Sequence, residues 1–276
     1  MEDVDNRREE LTRAALTEKG AGVLADEARN ADGMNDLLVR FVSAVAMAGL
    51  SVIALYFGGW VWTGFVVLLA GLVLWEWNGI VSKFGVSAVS EVAWLFLGAL
   101  YVGAAALAMV SVRVGWGFLL GDSAAPGYDF WAVLLVFLGT IVAVDVGAYF
   151  AGRAIGGPRI APSISPSKTW AGLFGGMVAA SGLRVLCITL EIGPIGDYFG
   201  SASLLWLGGI AEGMLIAIIA QAGDFFESWM KRRAKVKDSG QLLPGHGGLF
   251  DRLDGFLAVF FTLFLIAVVP AYIGFG

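Results

Sequence analysis

Residues 222–254 read AGDFFESWMKRRAKVKDSGQLLPGHGGLFDRLD and form the only long polar segment between two apolar runs of the chain. The segment holds the only histidine, His246, inside the glycine-rich turn 244–248. Its basic side chains are Lys231, Arg232, Arg233, Lys235 and Lys237, and its acidic ones are Asp224, Glu227, Asp238, Asp251 and Asp254. Cations, carboxylates and bare glycine backbone together suit a site for phosphate and a metal ion.

The rest of the chain is too apolar for a water-soluble protein. Of its 276 residues, 58% are hydrophobic and 15% are charged, whereas soluble domains carry about 25% charged residues. A soluble fold could not bury this much apolar surface, so the composition predicts an all-α, polytopic integral membrane protein. The single cysteine, Cys187, excludes an intrachain disulfide.

Seven apolar runs are each long enough to cross ~30 Å of hydrocarbon as a helix. They cover residues 37–57, 60–77, 88–112, 130–150, 170–190, 204–225 and 256–273. A split of the region 88–129 would add crossings, so we expect about seven to nine transmembrane helices. The predicted organisation is a polar tail (1–35), N-terminal transmembrane helices (36–129) and a C-terminal transmembrane domain (130–276). The tail has no apolar core, does not look like a signal peptide and is interpreted as solvated.

The distribution of Lys and Arg predicts the orientation. When the loops are assigned to alternate sides, one side receives Arg40, Lys83, Arg153, Arg159, Lys168, Arg252 and the cluster 231–237, and the other receives Arg113. The positive-inside rule places the first set in the cytoplasm. We therefore expect a multi-pass protein of the cell inner (plasma) membrane whose polar segment 222–254 faces the cytoplasm.

Two further polar groups interrupt the apolar runs. Asp145, Tyr149 and Arg153 follow one another at i,i+4 spacing, so they share one face of a helix. A carboxylate inside a membrane span is costly and is a functional candidate, although a structural pair with Arg184 is the alternative. The second group, SISPSKT at 163–169, precedes a long helix. Its hydroxyls and Lys168 suit a phosphate at a helix N-terminus, or else form a capping loop whose lysine marks the inner face.

Spacing also groups the charges of the segment 222–254. On a helix, Glu227 and Lys231 are i,i+4, and Asp251 and Asp254 are i,i+3. Together with Asp224, the last two would supply hard oxygen ligands suited to Mg²⁺. His246 by itself is more typical of a hydrogen-bonded turn than of a metal ligand.

At these residues the chain closely resembles the phosphatidate cytidylyltransferases, also called CDP-diacylglycerol synthases. The family signature agrees at every fixed position: Ser228, Lys231, Arg232, Lys237, Asp238, Gly240, Leu243, Pro244, His246, Gly247, Gly248, Asp251, Arg252 and Asp254. The blocks 145–153 and 165–170 also look like the family's. Ser167 and Ala171 depart from it, since a second lysine is usual at the first position and an acidic residue is common at the second.

The resemblance implies that CTP and phosphatidate react to give CDP-diacylglycerol and pyrophosphate, with Mg²⁺ as cofactor and a second cation left open. It also implies a homodimer. The hypothesis assigns metal binding to Asp145, Asp224, Asp251 and Asp254, and catalysis to Asp224, Lys231, Arg232, Lys237, Asp251 and Arg252. It assigns substrate binding to Arg153, Ser165, Lys168, Thr169, Ser228, His246, Gly247 and Gly248. The phosphate of phosphatidate is already ionised near neutral pH, so the main requirement is neutralisation of two polyanions at the membrane edge.

Two other functions fit parts of the pattern. A CTP-dependent lipid kinase would need the same cations, and a transporter of anionic solutes would use glycine-rich spans and an intramembrane carboxylate such as Asp145. The transporter does not explain a carboxylate-bearing loop at the membrane edge. Nucleic-acid binding is not expected, because the basic residues are few and lie beside the spans.

Overall fold

The computed structural model describes residue 39 and residues 41–114, 130–192, 202–243, 245 and 247–273. The tail 1–35 and His246 therefore lie outside the described residues. The helices are α1 (Phe41–Phe57), α2 (Gly59–Val81), α3 (Ala88–Val114), α4 (Phe130–Ala154), α5 (Trp170–Thr189), α6 (Ala202–Ala234) and α7 (Phe250–Ile273). A two-stranded sheet, β1 (Arg159–Ala161) and β2 (Ser165–Thr169), lies between α4 and α5 in the sequence.

The all-α polytopic membrane architecture is confirmed. Within the described residues, five helices are long and apolar enough to cross a membrane: α2, α3, α4, α5 and α6. The apolar helix α1 is shorter, and α7 carries three charges in its first five residues. Each of the seven predicted spans falls on one of these helices, while the number of crossings stays a prediction.

The residues form two compact units, one of 1–49 with 243–246 and one of 50–242 with 247–276. In the first unit, the structure describes helical residues of α1 together with Leu243 and Gly245. The second unit contains the end of α1, all of α2 to α7 and the β-hairpin.

A tight turn at Gly58 and Gly59 joins α1 to α2. Both glycines have positive φ, 59° and 48°, a conformation that glycine adopts without steric cost. The guanidinium of Arg113 in α3 donates hydrogen bonds to the carbonyl of Leu55 at 3.2 and 3.3 Å. A Cβ atom on Gly58 would lie 2.4 Å from that guanidinium, so the glycine also makes room for it.

Glycines bring α4 and α5 into backbone contact. A Cβ atom on Gly147 would lie 2.5 Å from the carbonyl oxygen of Gly175, and one on Gly175 would lie 2.2 Å from the Cβ of Ala151. The same holds between α6 and α7, where a Cβ on Gly223 would lie 2.6 Å from the carbonyl oxygen of Asp254. Small residues allow helices in a membrane to approach closely. Here they set α4, α5, α6 and α7 side by side.

The stretch 163–169 is not the capping loop considered as one alternative, because most of it pairs as a strand. β2 runs antiparallel to β1, with Arg159 opposite Thr169 and Ala161 opposite Ser165. Thr169 still caps α5, since its hydroxyl accepts a hydrogen bond from the N–H of Gly172 at 3.1 Å. The strand therefore delivers Lys168 to the start of a helix.

The alternative pairing of Asp145 with Arg184 is wrong. Arg184 in α5 instead forms an ion pair with Glu212 of α6 and lies over the ring of Phe137, 5.5 Å from its centroid. This contact ties α4, α5 and α6 together away from Asp145.

Gly175→Ala should destabilise the protein by about 1–3 kcal/mol, because the added methyl group overpacks the α4–α5 contact. Gly182→Ala in the same helix is the matched control, since a Cβ atom there meets nothing within 4 Å. Thermal unfolding of both variants in detergent measures the difference. Equal unfolding midpoints for the two variants would contradict the close packing.

Candidate active site

A cavity of about 660 Å³ lies among α4, β2, α5, α6 and α7. The charged side chains that line it are Asp145, Arg153, Lys168, Asp224, Glu227, Lys231, Asp251, Arg252 and Asp254. Four separate elements of the sequence supply these groups. So high a density of charge in a membrane protein indicates a charged ligand.

One side of the cavity is acidic. Asp224 of α6 forms an ion pair with Lys168 of β2, and about a quarter of each side chain is exposed. Asp145 of α4 and Asp254 of α7 interact electrostatically with the same pair. Only Asp224 is paired with the lysine, so this side carries more acidic groups than basic ones.

The other side is organised by Lys231. Its Nζ lies 2.9 Å from Oε1 of Glu227, one helical turn earlier, and 2.6 Å from Oδ1 of Asp251. The predicted i,i+4 pair is thus confirmed. Only 2% of the Glu227 side chain and 11% of the Asp251 side chain are exposed. The lysine therefore holds two buried carboxylates from different helices.

Asp251 is fully engaged by protein groups. Its Oδ2 accepts hydrogen bonds from the N–H of Ser239 (2.9 Å), the hydroxyl of Ser239 (2.9 Å) and the N–H of Gly248 (3.0 Å). Burial alone would raise the pKa of Asp251, but the hydrogen bonds from Lys231 and Ser239 together hold that pKa below its usual range. Asp251 is thus ionised and positions Lys231.

The four carboxylates predicted to bind metal do not form one cluster. In the described part of the chain, no three acidic, histidine or cysteine side chains are grouped as a metal site. All four line the cavity, but Asp251 is committed to Lys231 and Ser239. Asp145, Asp224 and Asp254 supply the carboxylate oxygens that a divalent cation prefers, although among the described residues they are not grouped closely enough to form a site by themselves.

The remaining predicted residues that the structure describes fall into two groups. Arg153, Lys168, Thr169 and Arg252 line the cavity, and Arg153 donates to the hydroxyl of Tyr149 at 3.2 Å. The face Asp145–Tyr149–Arg153 is therefore confirmed. Of the described residues, those predicted for the site but absent from the lining are Ser165, Ser228, Arg232, Lys237, Gly247 and Gly248.

Three of the residues absent from the cavity lining have other contacts. Ser165 is buried, and Ser167 lines the cavity in its place. Arg232 donates to the carbonyl of Ile164 at 3.2 Å and so ties α6 to the turn of the β-hairpin. A Cβ atom on Gly248 would lie 1.8 Å from the hydroxyl of Ser239, so this glycine serves close packing.

The sequence reasoning missed Glu76, Gln221 and Ser239. Gln221 lines the cavity and lies one residue before the polar segment 222–254. Glu76 of α2 accepts hydrogen bonds from the N–H groups of Leu249 (3.0 Å) and Phe250 (2.7 Å) and from the hydroxyl of Ser239 (3.1 Å). A carboxylate near the end of an apolar run was visible in the sequence, but partners more than 160 positions away were not.

Lys231→Met should destabilise the protein by roughly 3–5 kcal/mol, because it leaves Glu227 and Asp251 buried without their shared cation. The double variant Lys231→Met with Glu227→Gln should recover part of that loss. Unfolding midpoints of the wild type and both variants test this. A double variant no more stable than the single one would contradict the shared role of Lys231.

Known proteins are similar to this chain over most of its length. The model of the cytidylyltransferase family matches residues 86–269, a segment that begins after Glu76. A phosphatidate cytidylyltransferase of Brucella suis biovar 1 (strain 1330) is 32% identical over 269 residues, which cover 86% of this chain and 96% of the relative. One of Rickettsia felis (strain ATCC VR-1525 / URRWXCal2) is 30% identical over 254 residues, 92% of this chain and 100% of the relative. One of Haemophilus influenzae (strain ATCC 51907 / DSM 11121 / KW20 / Rd) is 37% identical over 150 residues, 52% of this chain and 49% of the relative.

The matched segment holds the whole polar stretch 222–254 and every charged residue that lines the cavity. The match covers about two thirds of the chain. The chain therefore belongs to the cytidylyltransferase family, as its resemblance to the phosphatidate cytidylyltransferases predicted.

Proposed function

We propose that this protein transfers the cytidylyl group of CTP to phosphatidate and releases pyrophosphate, as part of phospholipid biosynthesis. One observation carries the proposal: a single cavity is lined by an acidic side, Asp145, Asp224 and Asp254, and by basic groups from the family signature. The relatives' name, phosphatidate cytidylyltransferase, identifies the transferred cytidylyl group and the lipid that accepts it. The product is CDP-diacylglycerol.

The chemistry needs charge neutralisation more than proton transfer. A phosphate oxygen of phosphatidate attacks the α-phosphorus of CTP, and the bond from that phosphorus to the β-phosphate bridging oxygen breaks. Both reactants are anions and the leaving pyrophosphate gains charge, so fixed cations lower the barrier. Arg153, Lys168, Lys231 and Arg252 line the cavity and are the groups that would bind these phosphates.

Asp224 and Asp254 would hold Mg²⁺ together with phosphate oxygens of the substrates, and Asp145 lines the same cavity. When bound, the ion supplies positive charge to the phosphates and to the leaving pyrophosphate. Lys168 pairs with Asp224 in the protein alone. In the reaction, Lys168 exchanges this carboxylate for a phosphate oxygen. In this proposal Asp251 also holds Lys231 in place.

The site faces the cytoplasm from the inner membrane in this proposal. The excess of Lys and Arg on one side of the spans supports the orientation. The lipid stays in the bilayer, because each buried acyl CH₂ group is worth about 0.8 kcal/mol, whereas CTP arrives from the cytoplasm. A homodimer, which the family resemblance implies, belongs to the same proposal.

The purified protein with phosphatidate, Mg²⁺ and CTP labelled at the α-phosphate should produce a labelled lipid, and CTP labelled at the γ-phosphate should give labelled pyrophosphate. Asp224→Asn should abolish turnover while the protein stays monodisperse, because the acidic side loses its central carboxylate. Glu91→Gln, in the first turn of α3, is the control. Transfer of the γ-label to lipid would instead establish a kinase, and solute uptake without CTP consumption would establish a transporter.

The orientation is tested with single cysteines introduced after Cys187→Ala. Lys83→Cys, between α2 and α3, should react with a membrane-impermeant maleimide only after spheroplasts are permeabilised. Trp60→Cys, at the exposed start of α2, should react in intact spheroplasts. The reverse labelling pattern would refute a cytoplasmic site.

A further inference from the structure

Glu76 is a buried carboxylate in a helix that contributes nothing to the wall of the cavity. Only 3% of the residue is exposed, and it lies near the end of α2. Its two oxygens accept three hydrogen bonds, from the N–H groups of Leu249 and Phe250 and from the hydroxyl of Ser239. All three partners belong to the segment that carries the family signature.

The two N–H groups mark the start of α7. The first N–H groups of a helix have no partner within the helix, and a negative charge there interacts favourably with the helix dipole. Such a cap usually comes from a residue adjacent in sequence. Here it comes from Glu76, 174 positions before Phe250, so it ties α7 to α2.

Neighbouring contacts hold the carboxylate in one place. A Cβ atom on Gly240 would lie 2.2 Å from Oε1 of Glu76, so the glycine backbone packs directly on the carboxylate. The adjacent Trp77 packs on the ring of Phe250, with centroids 5.6 Å apart. Its indole N–H donates to the carbonyl of Trp94 at 3.0 Å. The end of α2 is therefore fixed against both the polar loop and α7.

The same network reaches the cavity in one step. The hydroxyl of Ser239 lies 3.1 Å from Oε2 of Glu76 and 2.9 Å from Oδ2 of Asp251, so the two carboxylates share its single proton. Asp251 directly follows Phe250 in the chain, and its other oxygen holds Lys231 at 2.6 Å. A shift at the start of α7 would therefore move Asp251, and with it the Lys231 ammonium group that lines the cavity.

We propose that Glu76 is a positioning residue for the reaction: it fixes the start of α7 and the Ser239 hydroxyl, and thereby holds Asp251 and Lys231 in their working geometry. The catalytic part of this inference rests on the proposed function. Glu76 touches no group of the cavity itself, so its effect passes through Asp251.

The test uses the full-length protein in detergent with three variants, Glu76→Gln, Ser239→Ala and the two combined. A glutamine keeps the shape of Glu76 but loses its charge and turns one acceptor into a donor. A misplacement of about 1 Å caused by a mutation far from the chemistry can cost about 100-fold in rate, so we expect kcat of Glu76→Gln to fall by roughly 10–100-fold. The KM for CTP should change little, since Arg153, Lys168 and Arg252 remain.

The combined variant tests whether Glu76 and Ser239 act together. Its loss of kcat should be smaller than the product of the two single losses, because both variants break one network. Pairing Glu76→Gln with Glu91→Gln should give a simple product, and Glu91→Gln alone should leave kcat unchanged. If the kcat losses of Glu76→Gln and Ser239→Ala multiplied in the combined variant, the shared network would be refuted.

Amide hydrogen exchange at residues 249–250 supplies a readout that needs no substrate. Glu76→Gln should speed exchange there, while Glu91→Gln should not. Faster exchange with an unchanged kcat would show that Glu76 has a purely structural role and would overturn the proposal. Unchanged exchange in Glu76→Gln would also overturn it. A wild-type protein that makes no nucleotide lipid would refute the proposed function, and the exchange result would still decide whether Glu76 holds α7.

Discussion

Charges inside a membrane protein must be paired by other protein groups, since lipid cannot solvate them. In this protein the pair that governs the site is Lys231 with Asp251, which joins the last turns of α6 to the first turn of α7. Glu227 completes it from the same helix as the lysine. Because all three groups are largely buried, no one of them can move without leaving a charge exposed to an apolar surrounding.

Close packing makes that pairing possible. The glycines of α4, α5 and α6 let backbones touch, and so bring Asp145, Lys168, Asp224 and Asp254 around one space. Larger side chains at these points would separate the helices by more than the reach of a carboxylate. The apolar helices therefore affect the chemistry by setting the distances between the charged groups, although they supply few of the reacting groups.

The arrangement divides the carboxylates by task. Asp251 accepts hydrogen bonds from Lys231, Ser239 and Gly248, which fix its position. Asp224 pairs with Lys168, and in the proposed reaction a substrate phosphate takes the place of Asp224 on that lysine. Two carboxylates separated by three positions in the chain, Asp251 and Asp254, thus face different partners.

The sequence by itself determined the membrane class, the seven helices and the identity of the polar segment, because hydropathy, helical spacing and a long signature depend on neighbours in the chain. It also predicted the face Asp145–Tyr149–Arg153 and the pair Glu227–Lys231, which lie one helical turn apart. Only the tertiary structure decided that Arg184 pairs with Glu212, that 165–169 is a strand, and that Glu76 caps α7. Those contacts join residues far apart in the chain, and their distances depend on how the helices pack, which no local pattern encodes.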